Sequence, residues 1–166
     1  MTGEKENRGM WGGLGVLFFF LRFLAASIAL YLVYTMVGTY YAKLVAYGAK
    51  PLLALFKYKI VIEKALAITE DISLNPVVYL SLVIAVAKVP VVTRLKAALW
   101  GVLILTAANI TTVFLAFLSA YEGSEQLWTG TEFFGLTINF FLPLLLWILL
   151  MPIKLTFPLR GKSKST

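Results

Sequence analysis

Residues 97–121 read AALWGVLILTAANITTVFLAFLSAY, twenty-five positions without one charged side chain. A helix of that length is about 37 Å long at 1.5 Å per residue, enough to cross the ~30 Å hydrocarbon core of a bilayer. The basic run Thr93-Arg94-Leu95-Lys96 stands immediately before it, and Glu122 immediately after. An apolar run so bracketed is expected to be a membrane-spanning helix with its ends in the head-group layers.

The rest of the chain repeats the pattern. Hydrophobic residues make up 60% of the 166, only 14% are charged, and the mean hydropathy is +0.87. A soluble domain carries roughly 25% charged residues, so the apolar surplus here points to lipid. The formal charge of +7 does not suggest nucleic acid, because the bases sit beside apolar runs rather than on one polar face. The expected class is an all-α integral membrane protein of about four transmembrane helices, forming a single membrane domain.

The first span is expected over 18–41, after a cytoplasmic N-terminus of residues 1–17. Arg22 snorkels to the head groups, and Tyr40, Tyr41 and Tyr47 form a belt at the far interface. The apolar run lacks a small-residue cleavage site after a short core, so it reads as a retained anchor rather than a cleaved signal. Residues 42–75 are expected to be an extracytoplasmic or interfacial insert, amphipathic at first and broken at Pro51. Within it YKIVIEKALAITE, residues 58–70, is rich in β-branched side chains. It fits a short extended segment or hairpin, and a helix equally remains open because no turn dipeptide interrupts it. The second span is expected over 76–92, with Lys88 snorkelling; its uninterrupted apolar part, 77–87, is also short enough for a re-entrant segment. The third covers 97–121 and the fourth 133–153, followed by a basic tail over 154–166.

Orientation follows from Lys and Arg. One side holds Lys5, Arg8, Arg22, Arg94, Lys96, Lys154, Arg160, Lys162 and Lys164; the other holds Lys43, Lys50, Lys57, Lys59 and Lys64. Nine against five places both termini in the cytoplasm, in a cytoplasmic (inner) membrane.

Cysteine and histidine are both absent. That removes thiolate nucleophiles, disulfides and the usual general base and metal ligand, so no cofactor or metal and no sortase-type catalysis are expected. The polar groups inside the apolar runs are the remaining pointers. Glu132, Gly135, Asn139 and Pro143 share one face of the fourth span. Asn109 sits at the middle of the third. Interhelical hydrogen bonding is the commoner role for such asparagines and the preferred one here. As the first residue of a helix, Glu132 complements the dipole. Ala97, Gly101, Ala108 and Thr112, with Asn109 on the adjoining face, form a small-residue stripe suited to close helix packing, within the chain or with a membrane-protein partner.

These residues also carry a resemblance. Pro90 and Arg94-Leu95 in an inner turn, Gly101 opening a helix, Asn109-Ile110, and Glu132 with Gly135 before the last helix occur in the order found in the exosortase and archaeosortase transpeptidases. The resemblance covers roughly residues 72–150. Its departures fall on the chemistry: there is no Cys near Asn75, Thr112 stands at the position of the family's Arg, and Thr131 at that of its His. The chain therefore resembles non-catalytic relatives, the exosortase H-associated membrane proteins. The resemblance implies an accessory role in protein sorting beside an exosortase-like partner. A small subunit of a transporter or other membrane complex is the alternative.

Overall fold

The computed structural model describes residues 13–72, 74–87 and 89–151. Five helices are found among them: α1 (Gly13–Leu55), α2 (Ile62–Ile72), α3 (Asn75–Ala85), α4 (Val91–Glu122) and α5 (Glu125–Leu150). There is no strand among the described residues. Three of the helices, α1, α4 and α5, are long and apolar enough to cross a membrane.

Two expectations are corrected. The extended segment or hairpin over 58–70 is instead α2, which begins at Ile62. Its Ala65 and Thr69, one turn apart, are fully buried against α1 and α4, and that packing overrides the β-branched content. The insert over 42–75 also shrinks, because α1 does not stop at Tyr41. It runs on to Leu55, 43 residues and about 65 Å in all, with Pro51 inside it. Proline removes one backbone donor from the helix. Buried Ala42, Val45, Ala46, Ala49 and Leu53 hold this half of α1 to its neighbours and outweigh that loss. As for the second span, α3 has 11 residues, about 16 Å, too few to cross alone.

Helices α1 and α4 run in the same direction. Tyr41 lies by Thr106, Gly48 by Ile110 and Phe56 by Phe114. Down their side, α2 and α3 follow one another in the opposite sense. The first packs with Leu53 and Phe117, the second with Ala97 and Trp147. Helix α5 returns beside α4 until Trp147 meets Phe19 near the start of α1.

Chain reversals are closed by identifiable caps. At the end of α1 the Tyr58 and Lys57 amides donate to the Leu53 and Ala54 carbonyls, with Lys57 left-handed at φ 63°. This is the Schellman arrangement. Gly123, also at φ 63°, ends α4, and the Ser124 hydroxyl accepts from the Leu127 amide to begin α5. Tyr58 stacks on Tyr121, whose hydroxyl donates to the Lys59 carbonyl, tying the two reversals together.

The outer surface carries a band of large apolar side chains: Leu17, Leu21, Leu24, Ile28 and Leu32 on α1, Leu95, Leu99 and Leu103 on α4, and Phe133, Leu136, Phe140 and Leu144 on α5. No soluble monomer exposes so continuous a patch, and lipid is the solvent that suits it. Charge marks the depth of the band. Between Arg22 and Lys43, α1 has twenty uncharged residues, Phe23 to Ala42, about 30 Å of helix. On α5 the uncharged run begins after Glu132. Glu132 therefore marks the start of the apolar run on α5.

Candidate functional site: an asparagine layer beneath an open cleft

The interior has two apolar clusters. One gathers Tyr79, Val83, Val86, Ala97, Leu105, Leu146 and Trp147; the other gathers Val45, Ala46, Ala49, Leu53, Ala65, Val113 and Phe117. Between Leu105 of the first and Val113 of the second, α4 presents Asn109, which is fully buried.

Asn109 does not stand alone. Its amide donates to the Tyr41 hydroxyl at 2.9 Å and to Asn75 Oδ1 at 3.1 Å. Asn75 Nδ2 returns a bond to Asn109 Oδ1 at 2.9 Å and a second to Asn139 Oδ1 at 3.2 Å. Tyr41 OH lies 3.4 Å from Thr106 Oγ1. Four helices, α1, α3, α4 and α5, thus meet through neutral side chains in one layer. Asn75 and Asn109 form a reciprocal amide pair that uses the donors and carbonyls of both. Buried in an apolar surrounding, such a pair is stable only when complete, because an unpaired amide there costs about 1–3 kcal/mol.

Toward Glu132 the layer opens into a cleft of about 770 Å³ between α2 and α3 on one side and α5 on the other, floored by α4. Its polar lining is Asn75, Thr112, Thr131, Glu132 and Asn139; apolar walls include Leu74, Val78, Leu136 and Phe140. No Lys or Arg lines it among the described residues. The Thr112 and Thr131 hydroxyls donate to the carbonyls of Ala108 and Leu127 one turn earlier, so only their lone pairs face a ligand. Glu132 accepts from Trp128 Nε1 at 2.9 Å through one oxygen. The volume falls within the range of small-molecule sites. Among the described lining residues the Thr112 and Thr131 hydroxyls are committed to backbone carbonyls and the ionisable group is the Glu132 carboxylate, so the cleft offers a ligand acceptors and one negative charge.

The structure brings Glu132, Gly135 and Asn139 together along the cleft with Thr112, and buries Pro143 of the same α5 face. The small-residue stripe lies inside the chain. Ala97, Gly101, Asn109 and Thr112 are buried and Ala108 is half-buried. A Cβ at Gly101 would overlap the Tyr79 ring, whose hydroxyl donates to the Ala97 carbonyl at 2.6 Å. The close approach that Gly101 permits is thus made by an aromatic side chain of α3. Trp128 also lines the cleft.

Sequence reasoning missed two members of the layer. Asn75 is marked in the sequence only by its place near the family's Cys position, and at the start of α3 its amide reaches Asn109. Tyr41 reads as a belt residue, yet its hydroxyl turns inward. The signal available was the spacing of three asparagines at the ends or middles of apolar runs. Comparison of the chain with family models, with curated proteins and with solved structures finds no match in any of the three.

Proposed function

We propose that this protein is a non-catalytic accessory subunit of an exosortase-like protein-sorting system in a cytoplasmic membrane, with both termini in the cytoplasm. One observation carries the proposal. Asn75, Thr112 and Thr131, the positions that the resemblance sets at or beside the family's Cys, Arg and His, lie far apart in sequence and line one cleft. A cleft at those positions with no thiol, guanidinium or imidazole among its described lining residues suits a chain that binds beside an active partner. The stripe on α4 is occupied by Tyr79, so the partner meets the outward apolar face of α1, where Leu17, Leu21, Leu24 and Ile28 are exposed.

The test is co-expression of the tagged chain with an exosortase-like enzyme, followed by purification in mild detergent. The enzyme should co-purify, and the isolated chain should cleave no sorting-signal peptide. Turnover by the isolated chain that is lost on Thr131→Val or Glu132→Gln would refute the proposal, as would failure of the enzyme to bind. Reporter fusions at Lys64, Lys96 and Gly123 should read outside, inside, outside.

A transporter subunit is the second reading. Polar groups converging where α2 gives way to α3 favour it, since broken helices commonly frame transport sites. Against it, the cleft is blind. Beneath the asparagine layer Tyr79, Leu105, Leu146 and Trp147 close the bundle, and a path for solute would have to pass through them.

A further inference from the structure

The cleft combines three features at different depths of the apolar band. Glu132 stands at its boundary, and the α5 run that follows Glu132 carries no charge as far as Leu150. Asn139 lies two turns further along α5, about 10 Å deeper. Apolar Val78, Leu136 and Phe140 form the wall beside it.

The unused hydrogen-bonding capacity is as specific as the depth. Asn139 accepts from Asn75 at Oδ1, and its Nδ2 has no partner among the described residues, so it offers donors. Thr112, Thr131 and the second Glu132 oxygen offer acceptors, one of them charged. With no Lys or Arg among the described lining residues, an anionic head group would meet the Glu132 carboxylate. The matching ligand has a hydrogen-bond-donating cation at the membrane boundary, an acceptor oxygen about two helical turns below it, and apolar chains.

We propose that this cleft holds a phospholipid whose head group carries a primary ammonium, with Glu132 as counter-ion and Asn139 Nδ2 donating to a phosphate or ester oxygen. Trp128 orients the carboxylate through its indole N–H and shields one edge of the head group, as tryptophan does at bilayer interfaces. The acyl chains lie against Val78, Leu136 and Phe140 and continue into the surrounding lipid. This assignment goes beyond the accessory role and does not depend on it.

Native mass spectrometry of the full chain in nonionic detergent tests it. The sample is offered equal amounts of phosphatidylethanolamine, phosphatidylcholine and phosphatidylglycerol with identical acyl chains. Wild type should retain phosphatidylethanolamine in excess of the other two. An exposed ion pair contributes little, so E132Q should lower the ethanolamine-to-choline adduct ratio by about two- to fivefold. Glu132→Asp should retain the preference, and Glu125→Gln, one helical turn outside the cleft lining, should leave it unchanged. Asn139→Leu should reduce ethanolamine and choline adducts alike, because both lipids carry the oxygen it binds. Identical adduct patterns for wild type and E132Q would overturn the proposal. A phosphatidylglycerol preference insensitive to E132Q would overturn it too, by placing bound lipid on the exposed Lys43 and Lys50 of α1. Either failure leaves the partner experiment above untouched, since that one reads enzyme binding rather than lipid.

Discussion

The two seams that α3 makes with its neighbours differ in kind. Against α4 it is closed: Tyr79 fills the space above Gly101 and reaches the Ala97 carbonyl, and apolar side chains complete the contact. Against α5 it is closed only in its lower half, where Leu82, Val83 and Leu146 share a cluster, while its upper half parts to form the cleft. In lipid there is little hydrophobic gain in driving helices together, so contacts rest on shape and hydrogen bonds. A filled seam is therefore a stability device. An open one lined with polar groups, Glu132 among them, leaves room for a ligand.

The largest effect should come from wedging the filled seam. Gly101→Leu places a side chain where the Tyr79 ring lies, and overpacking of a close contact costs about 1–3 kcal/mol, more when an aromatic ring has to leave its pocket. The variant should lose its thermal transition or its monodisperse profile in detergent. If it stays as stable as wild type and only sheds a bound protein, the seam is an intermolecular one.

Next is Asn109→Leu, which removes the centre of the polar layer: Asn75 Oδ1 loses its donor, while Asn75 Nδ2 and the Tyr41 hydroxyl keep only Asn139 and Thr106. Interhelical bonds in membranes are worth about 0.6–2 kcal/mol, and the orphaned Asn75 carbonyl puts this variant at the upper end. Thermal unfolding in detergent reads it directly. Tyr79→Phe should cost less, about 0.5–1.5 kcal/mol, because the ring still fills the space and only the bond to the Ala97 carbonyl is lost.

What the amino-acid sequence reveals of these seams is uneven. The uncharged runs behind α4 and α5 declare themselves, and Gly101 and Asn109 are legible as interior residues because a gap and an amide in mid-span both need a neighbour. Which neighbour is not legible. Tyr79 is an ordinary aromatic in an apolar run, and only the crossing of α3 over α4 brings it to Gly101. The passage of α1 beyond Lys43 was hidden for a similar reason. Lysines at 43, 50 and 57 and a proline read as an interfacial segment, whereas the alanines between them are what pack. Helix α2 was ambiguous because its β-branched residues favour a strand locally, and tertiary burial of Ala65 and Thr69 decides otherwise. The cleft is an absence between helices, and no local pattern encodes where two helices fail to meet.

The sharpest use of the comparison is to make one chemical change at both ends of the same polar layer. Asn139→Leu is the same substitution as Asn109→Leu, but at the rim. Asn139 is half-buried and takes part in a single interhelical bond, from Asn75 at 3.2 Å, whereas Asn109 takes part in three, two with Asn75 and one with Tyr41. With Asn139 gone, Asn75 keeps its reciprocal pair with Asn109, so no amide is left wholly unsatisfied. The expected cost is about 0.6 kcal/mol, near the average for one bond between membrane helices. Thermal unfolding of both variants in the same detergent should therefore rank Asn139→Leu well below Asn109→Leu. Equal losses would mean that the layer is one cooperative network from α1 to α5, and that the cleft floor is held as rigidly as the filled seam. A smaller loss at the rim is what a site that gives way to a ligand requires.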